Sequence, residues 1–387
     1  MENYNEKDLN AKVDEMFNDF KTKLDSTLNV LVLGKVSAGK SSFLNAFFDR
    51  EMTDPLFSVN AKSGETTEVK FEKLGENISI ADTPGLDDIV SENSAETIKM
   101  LDDGVDIGIL VLSGSADKSQ KKHYEDLREK STAVFIVLNK ADTFSEENLS
   151  GVIAQWKDQL GLSKEEEIYP VVSRGYDPKD KEIFRGQEFE IEVDNHGRPK
   201  TLKGIDTVRD DVLVFLEKQG KDLLLAKELK DKSKKALAII STATATAAGA
   251  AFIPGSAAYI LGVQAVAIGS LGYLYTGEMI GKANAISFIG TFAAEQVGMN
   301  LFLIAKSFLP PTGVIDAAAA AVAASVTAAM LSAVNYILKN EIGFGDKEQM
   351  KSIFNDIKEQ LKAETKSAEK KELIQATFWK VLIKKII

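Results

Sequence analysis

The 387-residue chain contains no cysteine, which excludes disulfides, thiolate metal sites and a cysteine nucleophile. Histidine is almost as scarce: with only His123 and His196, neither a histidine-rich metal site nor a Ser-His-Asp centre is expected. Positive charge is in deficit, with 47 Lys and Arg against 58 Asp and Glu for a net charge of −11. A general nucleic-acid binder needs a basic surface, so no nucleic-acid partner is expected. The opening "MENYNEKDLNAKVDEMF" has no apolar run, so no secretory signal is expected and the chain reads as cytoplasmic. One further absence is local. Residues 236–277 carry no charged side chain and are dominated by Ala, Gly, Ser and Thr.

Composition and patterning divide what remains into four segments. Residues 1–27 place Leu9, Val13, Met16, Phe17, Phe20 and Leu24 at helical spacing, predicting an amphipathic helix. Residues 28–218 alternate strand-like runs ("NVLVLG", "TEVKFEKL", "ISIAD", "DIGILVL", "TAVFIVLN", "IYPVVS") with helical patterns. That alternation implies an α/β domain with a mixed, mostly parallel sheet and helices on both faces. The second and third runs are separated only by "GEN", which predicts an antiparallel hairpin at the sheet edge, and an inserted hairpin is expected near 188–203 with its turn at Asn195–Gly197. Residues 219–345 form an Ala/Gly-rich apolar segment, broken at Pro254–Gly255 and at "PPTG" (310–313), and predict an all-α domain of helical hairpins. Residues 346–387 form a charged helical tail ending in "FWKVLIKKII".

Three motifs carry chemistry. "GKVSAGKS", Gly34 to Ser41, fits G-x-x-x-x-G-K-[ST] between a strand and a helix. In such a loop the backbone N–H groups turn inward around phosphate oxygens, and the helix N-terminus adds partial positive charge. Gly34, Ser37, Ala38, Gly39, Lys40, Ser41 and Ser42 are therefore the candidate phosphate-binding residues. Lys40 is expected at the β- and γ-phosphates and the Ser41 hydroxyl on Mg²⁺. "ADTPGLDD" follows a strand; Asp82 is expected to hold Mg²⁺ through water and the Gly85 N–H to sense the γ-phosphate. "NKAD" ends another strand. There Asp142 can accept two hydrogen bonds, from guanine N1–H and its 2-amino group, whereas adenine offers neither donor. Asn139 is expected on the N7/O6 side of the base, with the Lys140 stem over the ring.

On these motifs residues 28–218 resemble a GTP-binding domain of the Ras-like P-loop class, within its Era-like and dynamin-like branches; "SAGKSSFLNAFF" resembles the loop and helix of those two groups in particular. The resemblance implies GTP/GDP and Mg²⁺ as ligands and hydrolysis of GTP to GDP and phosphate. It implies that "VVSRG" is the last base-contacting loop, placing Ser173 and Arg174 near guanine O6. It implies a switch threonine on Mg²⁺ and the γ-phosphate; Thr67 is favoured over Thr66 because the Era-like ligand directly precedes the strand. Lys40, Ser41, Thr67 and Gly85 are thus the candidate catalytic groups, and Ser41, Thr67 and Asp82 the candidate metal ligands. Where Ras-type enzymes carry a water-orienting glutamine, this chain has Leu86, so catalysis must draw on something else. One option is a monovalent cation beside the P-loop, where cation-using Era-like proteins often have an asparagine in place of Ser37 and dynamin-like proteins a serine. The other is a group supplied across a homodimer of GTP domains, with Arg50 or Arg174 as candidates; this implies slow intrinsic turnover that rises with assembly.

The stretch "AAFIPGSAAYILGVQAVAIGSLGYLYTGEMIGKANA" resembles the uncharacterised Ala/Gly-rich helical domain that follows the GTP-binding domain in many bacterial Era-like proteins. The overall plan is also similar to interferon-inducible immunity GTPases. Both resemblances imply peripheral or conditional association with membrane lipid. Lys282, Glu295 and Lys306 in the helical arm expected over about 279–308, and Asp316 in the arm expected over 314–338, would be costly in lipid. Two alternatives stay open: a soluble GTP-controlled switch whose helical domain binds a protein partner, and an integral inner-membrane GTPase gating a channel or transporter. The tail, with Phe378, Trp379, Lys380, Lys384 and Lys385, reads either as a helix on an anionic membrane surface or as one packed back on the N-terminal helix.

Overall fold

The computed structural model describes residues 6–59, 70–83, 95–253, 256–293, 317–342, 347–365 and 368–386. They form two units, one built from Asp25–Lys230 and the other from Met1–Leu24 together with Asp231–Ile387.

The first unit is an α/β domain. Its strands are β1 (Leu28–Leu33), β2 (Lys70–Leu74), β3 (Ile78–Thr83), β4 (Val105–Ser113), β5 (Ser131–Asn139) and β6 (Ile168–Pro170). They form a six-stranded sheet in the order β2-β3-β1-β4-β5-β6. Every neighbouring pair is parallel except β2 with β3, the edge hairpin that "GEN" predicts. The central strand β1 is buried at all six positions, as a strand covered on both faces must be. Helices α2 (Lys40–Phe47), α3 (Ala95–Asp103), α4 (Ser119–Lys130), α5 (Glu146–Leu160) and α6 (Ile205–Gln219) flank the sheet. One face buries Leu31, Leu33, Leu110, Leu112, Ile136 and Leu138 against Tyr124, Leu127 and Trp156. Helix α5 carries its start and stop signals in sequence: Ser145 caps the Asn148 N–H, Glu146 and Glu147 occupy the first turn, and Gly161 closes the helix in the left-handed conformation.

The register positions the functional loops. Val32 pairs with Asp82, Leu33 with Thr83 and with Leu110, and Ser113 with Asn139. The C-terminal ends of β1, β3, β4 and β5 therefore share one edge of the sheet. β1 lies between β3 and β4, so the chain turns from one half of the sheet to the other there, the place where open α/β sheets bind ligands.

This unit extends past the expected boundary at 218. A short helix, α7 (Asp222–Ala226), buries Leu224, Leu225 and Ala226. Lys221 Nζ is 2.6 Å from Asp106 Oδ1, and the Lys230 N–H donates to Asp49 Oδ2 at 2.9 Å. The apolar "LLLA" completes the α/β core rather than opening the helical domain. The inserted hairpin also differs from expectation. Its regular strands are β7 (Glu182–Phe184) and β8 (Gln187–Phe189), which turn at Arg185–Gly186, both with positive φ. The Asn195–Gly197 turn closes only a single bridge, Val193 to Pro199.

The second unit is helical: α1 (Glu6–Leu24), α8 (Ser233–Ala250), α9 (Ala257–Thr276), α10 (Lys282–Ala293), α11 (Ala317–Lys339), α12 (Lys347–Thr365), α13 (Lys370–Leu373) and α14 (Ala376–Ile386). The N-terminal helix is part of this bundle. It buries Val13, Phe17, Phe20 and Leu24, and it packs on α9. The close approach needs small residues: a Cβ on Gly262 would lie 2.4 Å from Met16 Sδ, and one on Gly269 3.1 Å from Phe20 Cε1. Helices α9 and α11 are long and apolar enough to cross a membrane, and most of each is buried within the bundle. They are joined by two side-chain hydrogen bonds, Gln264 Nε2 to Thr327 Oγ1 and Tyr275 OH to Asn335 Oδ1, both 2.8 Å. Lys282 pairs with Asp14 at 2.5 Å; Pro254, Glu295, Lys306 and Asp316 lie outside the described residues.

The tail helix α14 packs chiefly on α8, not on the N-terminal helix. Trp379 is fully buried and donates its Nε1–H to the Leu373 carbonyl at 2.7 Å, with Leu382 and Ile383 buried beside it. Lys380, Lys384 and Lys385 are exposed. Its buried residues Trp379, Leu382 and Ile383 recur at helical spacing, while Val381 is exposed.

Candidate nucleotide site

The loop from Gly34 to Gly39 joins β1 to α2. Two of its glycines are required by sterics. A Cβ on Gly34 would lie 2.3 Å from the Val111 carbonyl oxygen, and one on Gly39, at φ +85°, would lie 2.4 Å from Asn139 Nδ2. Ser37 is also left-handed, at φ +66°, and the Ala38 N–H donates to Lys35 O at 3.1 Å. Lys40 is buried and folds back over the loop, its Nζ 3.0 Å from Gly34 O and 3.3 Å from Lys35 O. The ammonium thus sits among the loop's own carbonyls, where an incoming phosphate offers it stronger acceptors.

Ser41 Oγ donates to Asp82 Oδ2 at 3.0 Å. The pair brings the first turn of α2 to the end of β3, and Asp82 is almost wholly buried. Among the described residues no group of three or more His, Asp or Glu side chains could hold a metal alone. A hydroxyl beside one carboxylate suits Mg²⁺, which takes few protein ligands and completes its shell with phosphate oxygens and water.

The base side is assembled from three loops. Asn139, buried at the end of β5, donates from Nδ2 to Ala38 O (3.1 Å) and Gly39 O (3.3 Å). Its Oδ1 accepts from the Lys140 N–H (2.8 Å) and Ser173 Oγ (2.9 Å). Asn139 therefore ties the phosphate loop to both base loops. Lys140, at φ +59°, lays its stem across to Ser37 O at 2.9 Å. Asp142 faces Arg174, with Oδ2 to Nη1 at 3.6 Å. These groups line a cavity of about 440 Å³ with Ser42, Val59, Thr143, Val172, Asp177 and Asp180.

Every expected P-loop and base-loop residue lies at this one edge. Thr66, Thr67, Gly85 and Leu86 are outside the described residues. Sequence reasoning missed Asp177 and Asp180. Asp180 Oδ2 accepts the Gly175 N–H at 2.7 Å and closes the last base loop; the turn-forming run "GYDPKD" is the signal for it.

Behind the site, Asp49, left-handed at φ +61° and buried, receives Arg198 Nη1 at 2.5 Å and lies 3.5 Å from Arg209 Nη2. Arg209 also donates to the carbonyls of Phe47 (2.9 Å) and Ala46 (2.7 Å), capping the phosphate-loop helix. Burial works to raise the Asp194 pKa, but hydrogen bonds from the Arg198 side chain and from the Arg198 and His196 backbone outweigh it and hold the carboxyl below its ordinary value. Burial is likewise the main cause that pushes the Tyr176 hydroxyl well up.

Residues 29–140 match the family model described as 50S ribosome-binding GTPase. Over 203 residues the chain is 23% identical to GTPase Era of Thermoanaerobacter sp. (strain X514), covering 49% of this chain and 66% of that protein. Over 133 residues it is 31% identical to the tRNA modification GTPase MnmE of Alkaliphilus metalliredigens (strain QYMF), covering 33% of this chain and 28% of that protein. The chain thus spans just under two thirds of one curated relative and about a quarter of the other. Among solved structures it is similar to Era in complex with MgGDPNP and nucleotides 1506–1542 of 16S ribosomal RNA (TM-score 0.27, 20% identity, 38% of this chain and 51% of that one). It is also similar to Toc33 from Arabidopsis thaliana with Mg²⁺ and GMPPNP (TM-score 0.31, 18% identity, 54% and 92%).

The Era complex corrects one expectation. Net acidity does not by itself exclude a nucleic-acid partner; Era, an RNA-bound protein in its solved complex, is among the proteins this chain is similar to. Net charge is a sum over the whole chain, whereas nucleic acid is bound by a local surface.

Proposed function

We propose that this chain, whose residues 29–140 match a GTPase family, binds GTP and GDP with Mg²⁺ and hydrolyses GTP to GDP and phosphate. The observation that carries this reading is the convergence on one sheet edge of Lys40, the Ser41–Asp82 pair and the Asn139–Ser173–Asp142 base side. Lys40 would exchange its carbonyl contacts for β- and γ-phosphate oxygens. Ser41 and Asp82 would hold Mg²⁺, which when bound neutralises charge on the transferring phosphoryl group. Asp142 would accept from guanine N1–H and the 2-amino group. With Leu86 in place of a water-orienting glutamine, intrinsic turnover is slow and rises with assembly.

The helical unit is the responding part: it associates with membrane lipid conditionally, from the cytoplasm, under nucleotide control. The apolar helices α9 and α11 support this. Their burial within the bundle favours a second reading, a soluble switch whose bundle binds a protein partner.

Calorimetry with Mg²⁺ tests the first step: GTP and GDP give heat and ATP gives none, and equal heats for ATP would sink the reading. Turnover per molecule that is fast and flat across protein concentration would sink the assembly claim. Sedimentation with and without liposomes and with structured RNA, in GTP and in GDP, separates the membrane reading from the soluble one. Nucleotide-dependent pelleting with liposomes supports the first; indifference to them supports the second.

A further inference from the structure

Arg174 lines the cavity beside Asn139, Lys140 and Asp142. Its guanidinium is 3.6 Å from the Asp142 carboxylate, with 42% of the arginine side chain and 29% of the aspartate side chain exposed. The loop that carries it is fixed on both sides. Thr201 Oγ1 donates to the Arg174 carbonyl, and the next peptide N–H, from Gly175, donates to Asp180 at 2.7 Å. Val172 exchanges backbone hydrogen bonds with Lys203 at 2.9 and 3.1 Å. Gly175 is left-handed at φ +131°, and a Cβ there would lie 2.4 Å from Pro199 Cβ. The inserted segment after the base loop therefore brackets residues 172–175 and holds the guanidinium toward the carboxylate. The other cation lining the cavity, Lys140, directs its ammonium to Ser37 O instead.

We propose that Arg174 gates the base pocket: its ion pair with Asp142 occupies the carboxylate that recognises guanine, and nucleotide entry exchanges that pair for the two base hydrogen bonds. This rests on the site taking guanine nucleotides. The pair is partly exposed and long, so its hold is modest and salt-sensitive. It acts on bases that need Asp142.

The test is stopped-flow association of N-methylanthraniloyl-GDP with the full chain. Arg174→Gln is expected to speed association about two- to fivefold, the range an exposed ion pair carries. Arg174→Lys, which keeps the charge, is expected to return it toward wild type. Raising ionic strength speeds the wild-type protein relative to Arg174→Gln, a readout that a purely structural role would not move. In an Asp142→Asn background, read with the xanthine nucleotide, Arg174→Gln has no further effect. Association unchanged or slowed in Arg174→Gln, while wild type binds, overturns the gate. Failure of wild type to bind any guanine nucleotide overturns the functional reading instead.

Discussion

Lys40 and Asp142 divide the site's work between affinity and choice of base. Replacing Lys40 by Ala removes a buried cation that donates to the loop carbonyls of Gly34 and Lys35. Guanine-nucleotide affinity is expected to fall about 10- to 100-fold, the worth of charge-assisted hydrogen bonds, with an unchanged circular-dichroism spectrum; calorimetry reads the first. Asp142→Asn presents an amide donor where guanine also has donors, and a C2 oxygen on the base then fits better. Preference is expected to move from guanine to xanthine nucleotides, and retained GDP preference would count against Asp142 as the recognising group. These residues were legible in sequence because the P-loop and "NKAD" are short and their chemistry lies in fixed local spacing. The Asp180 hydrogen bond to Gly175 and the Thr201 hydroxyl on Arg174 were not, because they depend on where a whole inserted segment folds back.

The elements show the same division between local and distant causes. Helix α5 carries its caps in its own sequence, and the edge hairpin follows from a three-residue connection. Arg198 meets Asp49 across 149 positions, a pairing no window of sequence contains. That network has a pH signature. Since the Asp194 carboxyl is held below its ordinary value of 3.8, it contributes stability above that pH, lost as pH falls through the lower folded value. Asp194→Asn is expected to flatten the acid limb of a stability-versus-pH curve below about pH 4 while lowering stability at neutral pH; chemical denaturation at several pH values checks both. In the bundle, Gly262→Val places carbon where Met16 Sδ now lies and is expected to cost about 1–3 kcal/mol by overpacking. Met16→Ala in the same chain should recover most of that in a urea titration.

At the scale of the molecule, the α/β unit owns its core, its site and its closing helix α7. A chain cut to residues 25–230 is therefore expected to fold and to hold GDP within about threefold of the full-length affinity, since a domain with its own core folds alone; calorimetry on the two chains decides it. A cut at 218 discards "LLLA" and the Lys221–Asp106 pair, and is expected to aggregate. The bundle's two hydrogen bonds between α9 and α11 fix something further. Position 264 meets 327 and position 275 meets 335, so the contacts advance in the same sense along both helices, about 16 Å on one and 12 Å on the other at 1.5 Å per residue. The two helices run side by side in parallel. Inserted together in this arrangement, both would enter a bilayer from one side, and the chain between them would have to return across it. A simple two-span hairpin of α9 and α11 is thus geometrically closed to this packing. In a chain free of native thiols, cysteines introduced at Ser256 and Ala317 would report it by labelling from the same face.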